Sequence, residues 1–275
     1  MRRSFEFLLY AIAILYFIGR YADGDMSPRG GPSPAPRPDA SILLPDGARL
    51  PRDISSSVVV EIDAKNQASV GTAFAVDQAG TYVSARHVIE GCNSISLIRG
   101  GRAVPVQLLA KANNRDFAIL QSTGIQPTPF ELSLDPPRRG EDGFMMGFPQ
   151  GSPADVRATV IGDTVMRSRG RYSARERVVA WVERERRPGF SGSLGGISGG
   201  PVLDAEGRII GTVVAGAPRR GRVYTTAPRV FAEAGLAPQE NIPRSDEGIT
   251  TANFDEKADS YRSSLRIAQV YCSVD

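Results

Sequence analysis

A chain of 275 residues with 41% hydrophobic content is long enough for one large domain or two small ones, and has enough apolar material for a real core. Its 33 basic residues nearly balance 30 acidic ones, and they neither form one long run nor alternate with aromatics, which argues against a nucleic-acid partner. A single histidine and two distant cysteines, without CxxC or HxxxH spacing, make no zinc site, and no metal or other cofactor is expected.

In chain order, residues 1–24 combine a basic start (Arg2, Arg3) with an apolar run from Phe7 to Gly19, the layout of an export signal. The segment is expected to be a signal peptide or an N-terminal membrane anchor, and the anchor is favoured because cleavage after Ala22 would put Arg20 at a position that prefers a small residue. The body of the protein is then extracytoplasmic, in the periplasm or cell envelope, and touches membrane only through this segment. Residues 25–52, rich in Pro, Gly and Ser, read as a linker.

From 53 to about 235 the apolar stretches are short and β-branched, for example SSVVVEI, VGTAFAV, RVVAWV and RIIGTVVAG. Turn signals separate them, and Asp77–Gly80 and Asp204–Gly207 each place Asp first and Gly last in a hairpin turn. This is an all-β pattern, with too many strands for one small sandwich. Two six-stranded antiparallel β-barrels, at about 53–135 and 140–235, account for them. Residues 236–275 are polar and weakly patterned, and read as a tail with at most one short helix or strand. Cys92 and Cys272 suit an exported protein, and a disulfide between them would tie that tail back near His87.

The chemistry gathers around a serine between glycines, Gly195-Gly-Ile-Ser-Gly-Gly-Pro-Val. Glycines let a tight turn present the Ser198 hydroxyl, and they leave amide N–H groups bare to meet a developing oxyanion. Gly196-x-Ser198-x-Gly200 fits the α/β-hydrolase elbow, but that fold needs a histidine after its serine, and here the only one, His87, lies 111 residues before it. The order His, Asp, Ser requires an aspartate between them. Asp116 stands at the mouth of an apolar strand, where a carboxylate needs a partner such as an imidazole N–H. Asp135 and Asp142 sit in turn segments, while Asp63 and Asp77 precede His87 and look like strand-end residues.

Four motifs, Gly71-Thr-Ala-Phe-Ala-Val, Tyr82-Val-Ser-Ala-Arg-His-Val, Asn114-Arg-Asp-Phe-Ala-Ile-Leu and Gly196-Ile-Ser-Gly-Gly-Pro-Val, occur in the order and spacing that resemble the trypsin-like serine peptidase superfamily. The bacterial HtrA/Deg-type branch is the most similar, over about 56–235. The resemblance implies a serine endopeptidase acting on polypeptides, with His87 as general base, Asp116 as orienting acid and Ser198 as nucleophile. The N–H groups of Gly196 and Ser198 would form the oxyanion hole. The alternative is an inactive relative that uses the cleft to bind peptides.

Two departures from the family pattern stand out. Ile197 replaces the aspartate that usually precedes the nucleophile in zymogens, so activation by a new N-terminal amine is not expected. The tail is also too short for the PDZ domain usual in the branch. No acid lies in Gly189–Gly195 or Val213–Ala217, which predicts a small or aliphatic P1 residue rather than Lys or Arg. Ser191 is a rival nucleophile, but Ser198 is followed by the strand, turn and strand that the family shows.

Overall fold

The computed structural model describes residues 57–63, 65, 67–217, 220–238, 242 and 248–274. The expected N-terminal signal and linker therefore lie outside the described residues. Among the described residues no helix is long and apolar enough to cross a membrane. Fourteen strands are described: β1 (Ser57–Ile62), β2 (Ser69–Ala75), β3 (Thr81–Ser84), β4 (Ser94–Arg99), β5 (Arg102–Pro105), β6 (Gln107–Lys111), β7 (Ala118–Gln121), β8 (Asp142–Gly147), β9 (Ala154–Gly170), β10 (Ala174–Arg187), β11 (Pro201–Leu203), β12 (Ile209–Ala217), β13 (Arg222–Thr226) and β14 (Ile267–Ser273). Three α-helices, α1 (Arg86–Ile89), α2 (Arg229–Glu233) and α3 (Phe254–Ser263), and a 3-10 turn (Pro149–Gly151) are also described. The two Asp-to-Gly hairpin turns are present. Asp77 Oδ1 accepts the Thr81 N–H at 2.8 Å, and Asp204 Oδ1 accepts the Arg208 N–H at 2.8 Å.

The strands form two curled sheets, each built around a ring of six. In the first, the order is β5-β4-β14-β2-β3-β7-β6. Only Val106 separates β5 from β6, so residues 102–111 act as one bent strand that pairs β4 with its first half and β7 with its second. In the second, the order is β9-β10-β13-β12-β11-β8, and pairing of β8 with β9 completes the ring. Most pairs are antiparallel, which lets each strand turn one face inward. Trp181, fully buried, fills the second ring and satisfies its indole N–H on Thr225 Oγ1 at 2.9 Å.

The termini depart from the expected layout. β1 does not join the first barrel. It runs parallel to the second half of β9, from Ser57 opposite Val165 to Ile62 opposite Gly170. Its place in the first barrel is taken by β14, inserted between β2 and β4. The described residues 248–274 are thus not a tail outside the barrels. Ile267, Ala268, Val270 and Cys272 are all buried, and α3 buries Phe254, Ala258 and Tyr261 along one face. Cys92 and Cys272 are joined by a disulfide across a Cα separation of 5.4 Å, fastening β14 just beyond α1.

Between the barrels lies an aromatic seam. Phe231 of α2 meets Phe74 and Phe117 edge-on, with ring centroids 6.3 and 6.1 Å away. Tyr261 of α3 packs on Phe130 at 5.0 Å, and Phe254 on Phe144 at 5.6 Å.

Candidate active site

The local sequence around His87 explains its placement. β3 is wholly buried, and at Ala85 the chain turns into the short α1, burying Val88 and Ile89 and leaving His87 on the open side. The His87 side chain is 24% exposed, whereas that of Asp116 is 2% exposed. Asp116 grips His87 twice. Its Oδ1 accepts the His87 backbone N–H at 2.9 Å, and its Oδ2 lies 2.6 Å from Nδ1. An ionised carboxylate can only accept, so Nδ1 carries the proton and Nε2 is left with a free lone pair.

The electrostatics agree with that assignment. Burial works against the charged form of His87, but the charge and hydrogen bond of Asp116 outweigh it. Arg171 opposes the shift and Glu176 supports it, and the net pKa is raised above 6.5. Burial likewise opposes ionisation of Asp116. The charge of His87, its two hydrogen bonds and one from Tyr172 prevail and hold the carboxyl below the usual aspartate value.

Ser198 comes from the loop between β10 and β11, and the loop's hydrogen bonds show why the glycines are there. Gly196 has φ +102°, and a Cβ on it would lie 2.3 Å from the Phe148 carbonyl oxygen. Gly199 has φ +84°, and a Cβ there would strike Thr72 O at 2.2 Å and Ala85 N at 2.8 Å. The Ser198 carbonyl accepts the Thr72 N–H at 2.9 Å, and Thr72 Oγ1 donates to the Gly196 carbonyl at 2.8 Å. The serine loop is therefore seated on β2 and on the Ala85 corner that leads directly into His87.

The N–H of Gly195 donates to Ser193 Oγ, that of Ile197 to Leu194 O, that of Gly199 to Val213 O and that of Gly200 to Ile197 O. The carbonyls of Gly195, Gly196, Ile197 and Ser198 all accept bonds. Within Gly195–Gly200, only the N–H groups of Gly196 and Ser198 have no acceptor among the described residues. These are the two amides expected from the sequence to face an oxyanion.

Residues 71–211 match the family described as "Trypsin-like peptidase domain". The chain belongs to the trypsin-like peptidase family. Among curated relatives, the serine protease Rv3671c of Mycobacterium tuberculosis (strain ATCC 25618 / H37Rv) is 26% identical over 155 residues, which is 52% of this chain and 35% of the relative. This chain thus matches only about a third of that relative's length. Solved structures titled as the inactive and active forms of Rv3671c protease align with TM-scores of 0.51. The inactive form is 19% identical, covering 62% of this chain and 88% of that one. The active form is 16% identical, covering 73% and 97%. At these identities the likeness shows the fold.

The other sequence candidates in this trypsin-like peptidase chain have partners of their own. Asp142 accepts from Arg157 at 3.0 Å and Thr159 at 2.6 Å, and Asp63 from Gln67. Asp77 caps its hairpin, and Asp135 donates its backbone N–H to Ser133. Ser191 is exposed in a segment held by Gln150 Nε2 rather than by Thr72 and Ala85.

Several supporting residues escaped the sequence reading. Thr72 clamps the serine loop, and Tyr172 and Glu176 reach Asp116 from the second barrel. Glu176 did carry a signal. It shares a buried face of β10 with Ala174, Val178 and Ala180, an acid where an apolar residue is expected.

Proposed function

We propose that the protein is a serine endopeptidase that cleaves polypeptides through an acyl-enzyme. Ser198 is the nucleophile, His87 the general base and Asp116 the acid that orients it. The observation that carries this reading is the 2.6 Å contact of the only imidazole with a buried Asp116, together with a glycine-bound serine loop that keeps two amides uncommitted among the described residues.

In the first step His87 Nε2 takes the Ser198 hydroxyl proton as Oγ attacks the scissile carbonyl. Asp116 stabilises the imidazolium that results. The oxyanion settles against the N–H groups of Gly196 and Ser198, each such donor contributing roughly 3–4 kcal/mol in the transition state. His87 then protonates the leaving amine, and water repeats the sequence to release the acid. Neutral His87 is needed, and it is lost as pH falls through its raised pKa. The acid limb of kcat/KM should therefore lie above pH 6.5, and a limb at or below that value would contradict the Asp116 pairing.

The specificity reading is a small or aliphatic P1 residue. Leu194 is buried in one cluster with Val213, and a Cβ on Gly216 would touch Leu194 at 3.5 Å, so apolar bulk already stands between the two segments expected to flank P1. In a peptide panel varied at P1, Ala or Val should be cleaved at least about tenfold faster than Arg. Fastest cleavage after Arg would reject the reading.

The proposed setting is outside the cytoplasm. The basic-then-apolar start of the sequence and the Cys92–Cys272 disulfide both support it. A fluorophosphonate probe tests the chemistry. Wild type should be labelled and Ser198→Ala should not. A folded wild type that resists labelling would instead be a peptide-binding module.

A further inference from the structure

The catalytic reading gives Asp116 its role but leaves open what holds Asp116. It lies in the segment between β6 and β7 of the first barrel, yet both of its remaining polar contacts come from the β9–β10 hairpin of the second. The Tyr172 hydroxyl donates to Asp116 Oδ1 at 2.9 Å. Glu176 Oε1 accepts the Asp116 backbone N–H at 2.9 Å. Tyr172 and Glu176 are 7% and 6% exposed. The same hairpin is clamped from the other side. Arg86, immediately before His87, lays its guanidinium over the Tyr172 ring at 4.0 Å and donates to the Ala112 and Asn113 carbonyls at 2.9 Å.

Glu176 is not a routine structural acid. Its Oε2 is buried and has no hydrogen-bond partner among the described residues. On its own sheet it sits between apolar neighbours, with Met166 opposite it on β9. The titratable groups facing it are Asp116, Arg115 and His87 from the first barrel and Tyr172 from its own hairpin. A buried carboxyl beside a second carboxylate is costly, and a strand interior has no need of one.

We propose that Tyr172 and Glu176 are positioning residues for the triad acid, one fixing the Asp116 carboxylate and the other its backbone. The proposal rests on the catalytic assignment above. The two residues act on His87 with opposite sign. The Tyr172 hydroxyl points its positive end at Asp116 and so weakens the carboxylate's hold on an imidazolium. The Glu176 anion adds negative charge near His87 and strengthens it. Burial and the nearby Asp116 charge push the Glu176 carboxyl up to about 7, so its charge changes in the range where His87 works.

The lone histidine makes this measurable without an activity assay. The full chain, purified without a histidine tag and labelled with ¹⁵N-histidine, gives one imidazole to titrate by NMR. Tyr172→Phe should move the His87 midpoint to higher pH. Glu176→Gln keeps the acceptor for the Asp116 N–H but loses the charge, and should move it to lower pH. Mere loosening of the site would relax both variants downward towards an ordinary imidazole. Unmoved midpoints, or midpoints that shift in the same direction, would overturn the proposal. Should the Gln variant fail to fold, Tyr172→Phe decides alone, an upward shift supporting the proposal and any other result rejecting it. Fluorophosphonate labelling of the wild type runs in parallel. Its absence defeats the catalytic reading, whereas the midpoints report on the positioning of Asp116.

Discussion

If His87 is the general base proposed above, His87→Ala should lower turnover on a peptide substrate by about 10⁴–10⁶-fold. The chain holds no second histidine, so no other imidazole can move into the role. What survives is the contribution of binding and of the two uncommitted amides, roughly 10³-fold over water. The substitution also leaves Asp116 buried with two donors instead of three, the His87 N–H and the Tyr172 hydroxyl. A stability loss of about 1–3 kcal/mol should accompany the loss of activity. Steady-state kinetics and thermal unfolding of the same preparation check both numbers. Turnover within tenfold of wild type would remove His87 from the mechanism.

Deleting residues 264–275 should abolish cooperative folding. That segment contains the strand between β2 and β4, so its loss opens the first ring and strips two ladders at once. It also removes buried Ile267, Val270 and Cys272, each apolar side chain contributing about 1.5–3 kcal/mol. Together with the disulfide, which closes a sequence separation of 180 residues, the loss reaches the whole 5–15 kcal/mol of a typical domain. Circular dichroism should show no sigmoidal thermal transition. Cys272→Ser offers the graded comparison. It keeps the strand and should fold, losing about 2–5 kcal/mol. A truncated chain that melts like the Cys272→Ser variant would show the strand to be dispensable.

The strands of the barrels and the candidate residues His87, Asp116 and Ser198 could be picked out in the sequence because their signals are local. Short β-branched runs between Asp…Gly turns give strands, and glycines around Ser198 give a tight loop whatever surrounds them. The family likeness then supplied the order of His87, Asp116 and Ser198. What could not be read was pairing between distant segments. Ile267–Ser273 looks like any polar-flanked β run, and nothing in it says that its partners are β2 and β4, roughly two hundred residues earlier. β1 is equally mute about its choice of β9. Tyr172 and Glu176 stayed hidden for the same reason. Their meaning depends on which loop of the other barrel the hairpin meets, and only tertiary structure reveals that.

The exchange of terminal strands leaves the molecule without a severable joint. The first barrel consists of residues 69–121 with 267–273, and the second of 57–62 with 142–226. The chain passes from one to the other three times, so cutting the connection at Leu134–Gly140 would free neither half. A candidate site that draws Asp116 from one barrel and Tyr172 and Glu176 from the other depends on their keeping station, and here the covalent path itself ties them together.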